Sequence, residues 1–196
     1  MQADVSKPKG ARRASSDRAA HGVRPASTSR ARRGAMLPLA FPKGLAPRGS
    51  DAAALCRALL QAGIGHRIGG RGPSEFDCWS TVQIAQAHLF GRELLDVDLG
   101  EKASRTDILR AVRSHVAHAQ WEELGIWSGG LQPAHGDVVT MTHKGVPWHV
   151  GTFLGVDRGV VLHCAEEAGI CIDDRAVLYA KGFRLLTIHR YIGAAA

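Results

Sequence analysis

The apolar period of this chain changes near residue 135, from a helical spacing before it to a strand-like spacing after it. That order restricts the fold, because helices followed by a run of short strands build an α+β domain with helices packed on one side of an antiparallel sheet. On the helical side, "DAAALCRALLQAGI" has Ser50 or Asp51 as N-cap, places Ala54, Leu55, Ala58 and Leu59 on one face, and stops at Gly63 or Gly65. "CWSTVQIAQAHLFG" carries a stripe of Val82, Ala85, Gln86 and Leu89 and ends at Gly91. Ser104 caps a third expected helix, "RTDILRAVRSHVAHAQWEELG", with Ile108, Leu109, Val112, Val116 and Ala119 inward. The expected strands are "GDVVTMT", "WHVGTFLG", "GVVLHCA" and "RLLTIHRYI", separated by Gly, Asp and Lys.

The net charge of +7 belongs to one end of the chain. Residues 1–35 hold nine Lys or Arg and two Asp, so of the 25 basic and 18 acidic residues, 16 of each remain for 36–196. The neutral remainder gives no support to a nucleic-acid-binding face on the domain. The first 35 residues lack an apolar period and are rich in Ala, Ser, Arg, Gly and Pro, which reads as a disordered basic arm. Such an arm suits a polyanionic partner, or none. The division expected is an arm and linker at 1–45 and a domain at 46–196, with Met36 either an internal start or part of the linker. No apolar run reaches the 18 residues of a membrane span, and no apolar segment follows the basic residues as a secretory signal requires. The chain is therefore expected to be made in the cytoplasm.

The four cysteines form no C-x-x-C pair. Cys164 and Cys171 read either as a pair across a turn or as two buried thiols. A metal site at His143, His149, His163 and Cys164 lacks a carboxylate or a second cysteine at a familiar spacing, so no metal is expected.

Cys78 stands between the glycine-rich loop "HRIGGRGPSEFD" and a helix. A helix N-terminus favours thiolate over thiol and presents N–H groups to a developing oxyanion. The same position also describes a core thiol. The two strand histidines tip the balance. His149 and His163 lie on neighbouring expected strands, where facing residues are about 5 Å apart, so one imidazole can meet the thiol while the other fixes its tautomer.

"HRIGGRGPSEFDCWSTV" resembles the NlpC/P60 signature, in which a Gly-Gly loop precedes Asp-Cys at a helix start. "HGDVVTMTHKGVPWHVGTFLGVDRGVVLHC" resembles its second half, a Gly-Asp strand followed by His-Val-Gly, a Leu-Gly turn and a third polar residue. The resemblance covers about residues 50–190. Trp79, "HLFG" and "LHC" look most like the phage-tail and gene-transfer-agent branch. It implies a papain-like fold, no cofactor, and hydrolysis of peptidoglycan stem peptides by Cys78 as nucleophile, His149 as base and acid, and His163 as orienting residue. It also implies substrate contacts from Asp77, Trp79, His66 and Gly70, with Asp77 either holding the stem-peptide amine or capping the helix. Gly69 and Gly70 either shape the cleft wall or make a plain turn. Many relatives carry Tyr at the place of His66, and Ser then Gly at the places of Trp79 and Ser80, which bears on substrate preference rather than on the catalytic pair. No SH3-like or LysM-like module is present, so placement at the wall is expected to come from phage-tail or baseplate partners in a virion. A silent tail-assembly component of the same fold and a thiol acyltransferase or amidase acting on another amide are the alternative functions.

Overall fold

In the computed structural model, residues 39–43, 45, 49, 51–94, 104, 106, 107, 110, 120–143 and 145–193 are described. The basic arm and Met36 lie outside them. Helix α1 (Ala52–Gln61) starts where the Asp51 side chain accepts from the Ala54 N–H at 2.6 Å, and it buries Leu55, Cys56 and Leu59. Gly63, at φ 60°, then turns the chain in a left-handed conformation that costs a side-chain-bearing residue free energy. Two short parallel strands, β1 (Gly65–His66) and β2 (Glu75–Phe76), bracket the glycine loop. Helix α2 (Cys78–Phe90) follows and ends on Gly91 at φ 64°.

The remaining strands are β3 (Trp121–Ile126), β4 (Val138–His143), β5 (Val146–Leu154), β6 (Val160–Ala165), β7 (Gly169–Asp173) and β8 (Phe183–Tyr191). They form one six-stranded sheet in the order β3-β8-β4-β5-β6-β7, with every neighbouring pair antiparallel. A short helix α3 (Arg175–Ala180) joins β7 to β8. The expected α+β class with an antiparallel sheet is what this chain adopts.

Alternation along the strands sorts the core into two faces. Leu154, Leu162 and Cys164 pack against Leu55 and Leu59 of α1 and Ile84 and Ala85 of α2. Val138 and Val150 meet Cys78, Trp79 and Val82 of α2 on that same side, together with Trp121. On the opposite face Val139, Met141, Phe153, Val161 and Ile188 close over Leu178 of α3, Trp127 and Phe183. Helix α2 has no polar stripe in its first half: residues 78–86 are all buried. A helix enclosed on every side, rather than the amphipathic one expected, is a central packing element. Burying a Leu such as Leu162 contributes roughly 2 kcal/mol.

Three departures from the sequence reading concern elements. Trp121–Gly125, expected as the end of a helix, is strand, because Trp121 through Ile126 pair with Thr187–Tyr191 of β8 across a bulge at Glu123/Gly125. Ladder pairing there overrides the helical spacing. Most of that expected helix lies outside the described residues, although Ser104 and Asp107 exchange the hydrogen bonds of a helix cap. Strand β7 and helix α3 were not anticipated. Leu39, Phe41 and Leu45, which precede the boundary at 46 drawn from composition, pack against the α1–α2 core.

All four cysteines are free thiols. The register explains why Cys164 and Cys171 do not pair: Cys164 stands opposite Ile170 and Cys171 opposite His163, so their side chains project to different faces. Among the described residues no helix is long and apolar enough to cross a membrane.

Candidate active site

The N-terminus of α2 is tied to the glycine loop by the residue before the cysteine. Asp77 Oδ1 accepts from the Ser80 N–H at 2.6 Å and Oδ2 from the Gly69 N–H at 3.1 Å. The Asp77 N–H donates to the Gly70 carbonyl, and so does the Ser80 hydroxyl, at 2.5 Å. Gly70 is glycine for space: a Cβ there would lie 2.8 Å from the Arg67 carbonyl oxygen and 2.9 Å from that of Glu75. Burial raises the Asp77 carboxyl above its ordinary value, and the Ser80 and Gly69 donors partly offset this. Asp77 is thus an N-cap that also pins a loop, and both oxygens are engaged within its own chain.

Cys78 is the first residue of α2 and is 6% exposed. The backbone N–H groups of Val150 and Trp79 are directed at its sulfur. The source of the Val150 donor follows from the ladder. Phe153 donates its N–H towards β4, to the Asp137 carbonyl, so alternation turns the N–H of Val150 towards β6. Pairing of β5 with β6 covers Thr152–Leu154 and leaves that donor to the thiol. The sulfur therefore meets β5 at the peptide bond joining His149 to Val150. Burial, and secondarily the charge of Asp77, push the thiol up, against the two N–H donors. This corrects the expectation of a resting thiolate, since desolvation outweighs the helix terminus here.

His149 continues into a chain of side chains. Its Nε2 lies 2.8 Å from His163 Nδ1, and His163 Nε2 lies 2.9 Å from Asp173 Oδ2. Register places His163 opposite Gly151, so the two imidazoles meet diagonally across β5 and β6 over a position without a side chain. The Asp173 carboxylate only accepts, which assigns the proton on His163 to Nε2 and leaves Nδ1 to accept from His149 Nε2–H. His149 Nδ1 is then the ring atom with a free lone pair. Its ring stacks on Phe183 with centroids 4.9 Å apart and planes at 15°. Burial first, and then His163, hold His149 well below its ordinary value, so the ring rests neutral. Against the pull of burial, hydrogen bonds from His163 and Lys181 keep Asp173 ionised.

The structure thus joins His149 to His163 directly and brings Cys78 to the peptide bond beside His149. Among the described hydrogen bonds none links the Cys78 sulfur to that imidazole. The other named residues divide. His66 is half-buried on β1 and lines an open pocket of about 460 Å³ with Ile64, Glu166 and Ile170. Burial lowers it, against the charges of Asp77 and Glu166. Trp79 is 5% exposed, a side chain of the core packed with Val82, Trp121 and Val138 rather than an open face beside the loop. Gly70 is corrected in the same sense, because it is buried beneath Arg67 and Glu75 and holds the helix start.

Asp173, Lys181, Phe183 and Gly151 escaped the sequence reading. Asp173 was within reach of it: pairing "GICID" with "GVVLHCA" places Cys171 beside His163 and Asp173 on the same face. His163, Cys171 and Asp173 also bring their ligand atoms within 4.8 Å of one another, a donor set for a metal ion. The cation found there is the Lys181 ammonium, 2.5 Å from Asp173 Oδ2 and 3.7 Å from Cys171 Sγ. No protein-family model and no curated protein sequence matches the chain.

Proposed function

We propose that this protein is a cysteine peptidase of the NlpC/P60 kind with a papain-like fold. It hydrolyses amide bonds of peptidoglycan stem peptides and acts at the cell envelope within a phage-tail or gene-transfer-agent apparatus. The observation that carries this reading is the chain His149–His163–Asp173, which leaves His149 Nδ1 as a base on the strand where the Cys78 sulfur meets the 149–150 peptide bond. A neutral thiol and a neutral imidazole suit general-base attack when the two meet; here strand alternation sets the His149 ring, stacked on Phe183, on the sheet face opposite Val150 and Cys78. The sulfur bonds to the substrate carbonyl carbon as its proton passes to His149, and the amine leaves with that proton. Water then cleaves the thioester, with His149 taking its proton and the sulfur recovering one.

The test is digestion of purified peptidoglycan, with released fragments identified by mass spectrometry. Cys78→Ala should abolish release while leaving the circular dichroism spectrum unchanged; muropeptide release by that variant would remove Cys78 from the reaction. The 6% exposure of Cys78 favours a second reading, a catalytically silent tail-assembly component. Alkylation of Cys78 by iodoacetamide near neutral pH supports the peptidase, and an inert Cys78 supports the silent component.

A further inference from the structure

We propose that His163, Cys171 and Asp173 form a site for one zinc ion, which enters by displacing the Lys181 ammonium. The inference goes beyond the peptidase reading and does not rest on it. Strand pairing assembles the donors. Cys171 stands directly opposite His163 in the β6–β7 ladder, and Asp173, two residues further along β7, projects to the same face. All three side chains are buried, and their ligand atoms lie within 4.8 Å of one another. The carboxylate that the strand histidines lack at a familiar spacing in sequence thus reaches them through the register.

The donor types select the ion. A thiolate beside an imidazole suits zinc rather than magnesium or calcium, which take oxygen ligands. Zinc bonds of about 2.0–2.3 Å at tetrahedral angles set neighbouring ligand atoms about 3.3–3.8 Å apart. His163 Nε2 and Asp173 Oδ2 are 2.9 Å apart, held by their own hydrogen bond, so they need to open by under about 1 Å. With the ion on Nε2, the ring hydrogen of His163 sits on Nδ1, 2.8 Å from His149 Nε2. His149 then supplies the outer hydrogen bond that orients a metal-bound imidazole.

A cation already stands among these donors. Lys181 Nζ is 2.5 Å from Asp173 Oδ2 and 3.7 Å from Cys171 Sγ. Asp174 caps α3 by accepting from the Val177 N–H, and this six-residue helix returns the chain to β7 at Lys181. The lysine side chain is 40% exposed, so it can swing to solvent and leave the fourth zinc position to water. The exchange balances in charge. Before it, the ammonium offsets the Asp173 carboxylate. After it, one Zn2+ offsets that carboxylate and the Cys171 thiolate, while the thiol proton and the ammonium pass to solvent. Neither state buries a net charge.

The experiment titrates the full chain with Zn2+ against a chromophoric chelator in a thiol-free reductant, and with Co2+ as a spectroscopic substitute. Wild type should bind zinc at this site, and its cobalt form should show a sulfur-to-metal charge-transfer band. Cys171→Ser should lose that band and, like Asp173→Asn, at least about a hundredfold in zinc affinity, beyond the loss typical of an outer partner. Cys164→Ser should lose neither, since Cys164 stands opposite Ile170 and packs towards the helices. Lys181→Met should bind zinc about tenfold more tightly or better, because the competing cation is gone, and a gain of affinity cannot come from misfolding. A cobalt band that survives Cys171→Ser would overturn the proposal. So would zinc affinity in Lys181→Met no higher than in wild type, or no zinc binding by either. Peptidoglycan digestion by wild type and Cys78→Ala decides the peptidase reading separately, whatever the zinc result.

Discussion

Gly151 faces His163 across β5 and β6, and a Cβ at position 151 would sit 3.0 Å from His163 Cβ, 2.8 Å from the Leu162 carbonyl oxygen and 2.5 Å from Val161 Cγ1. The histidine pair therefore depends on a missing side chain. Gly151→Ala should cost about 2 kcal/mol through overpacking against a backbone atom that has nowhere to go. It should also separate the two rings and reduce turnover. Urea unfolding checks the first effect and ring nitrogen shifts the second. A wild-type midpoint together with an intact His149–His163 hydrogen bond would refute this account of the glycine.

The charge of Asp77 is the second cause, after burial, of the raised Cys78 thiol. Asp77→Asn keeps a side-chain oxygen for the Ser80 N–H but removes the charge, so Cys78 should alkylate several-fold faster at fixed pH. Asp77→Ala should instead lose the cap and the tie to Gly69, lowering stability by about 1–2 kcal/mol. Peptide mapping after brief iodoacetamide treatment separates Cys78 from the other three thiols. An alkylation rate in Asp77→Asn at or below wild type would show that the carboxylate does not govern the thiol.

Asp173→Asn offers His163 an amide in place of an acceptor-only carboxylate. His163 loses the partner that fixes its proton on Nε2, and Lys181 loses its counter-charge. Groups acting through a ligand or base in this way are worth about 10–100-fold. Turnover of peptidoglycan fragments by Asp173→Asn should fall by that factor, with little change in KM. An effect confined to KM would place Asp173 in substrate binding.

The parts of the site that sequence disclosed are those set by local rules. Asp77 before Cys78 reads as a cap because capping needs a short acceptor three residues ahead of its donor, and Ser80 lies there. His149 and His163 read as neighbours because strand alternation and a short turn fix which residues meet. What escaped depends on longer-range pairing. Asp173 joins His163 only through the β6–β7 register, and Lys181 joins Asp173 only because α3 turns the chain back. Trp79 differs for a similar reason: its place in the motif implied a substrate contact, whereas the first half of α2 is buried throughout and Trp79 packs with Trp121 of a strand that its own sequence had assigned to a helix.

His189 makes the fold itself sensitive to acid. It is 4% exposed on β8, its Nε2 lies 2.9 Å from Thr140 Oγ1, and its Nδ1 is buried without a partner among the described residues. Burial lowers its pKa from 6.5 to about 4. In the unfolded chain the same ring binds a proton below pH 6.5, so the unfolded state gains protons first as pH falls. Stability present above that pH is lost progressively as the solution is acidified towards about 4, by about 3 kcal/mol in all. His149, also lowered, adds to this slope in every variant that keeps it. The difference between wild type and His189→Gln, which preserves a hydrogen-bonding group for Thr140, therefore isolates His189. Urea unfolding near neutral pH and again near pH 4.5 should show wild type losing about 2 kcal/mol more than the Gln variant. Equal losses would mean that the ring reaches a proton without unfolding, through an opening of the β4–β8 ladder around Val138, its partner in the register.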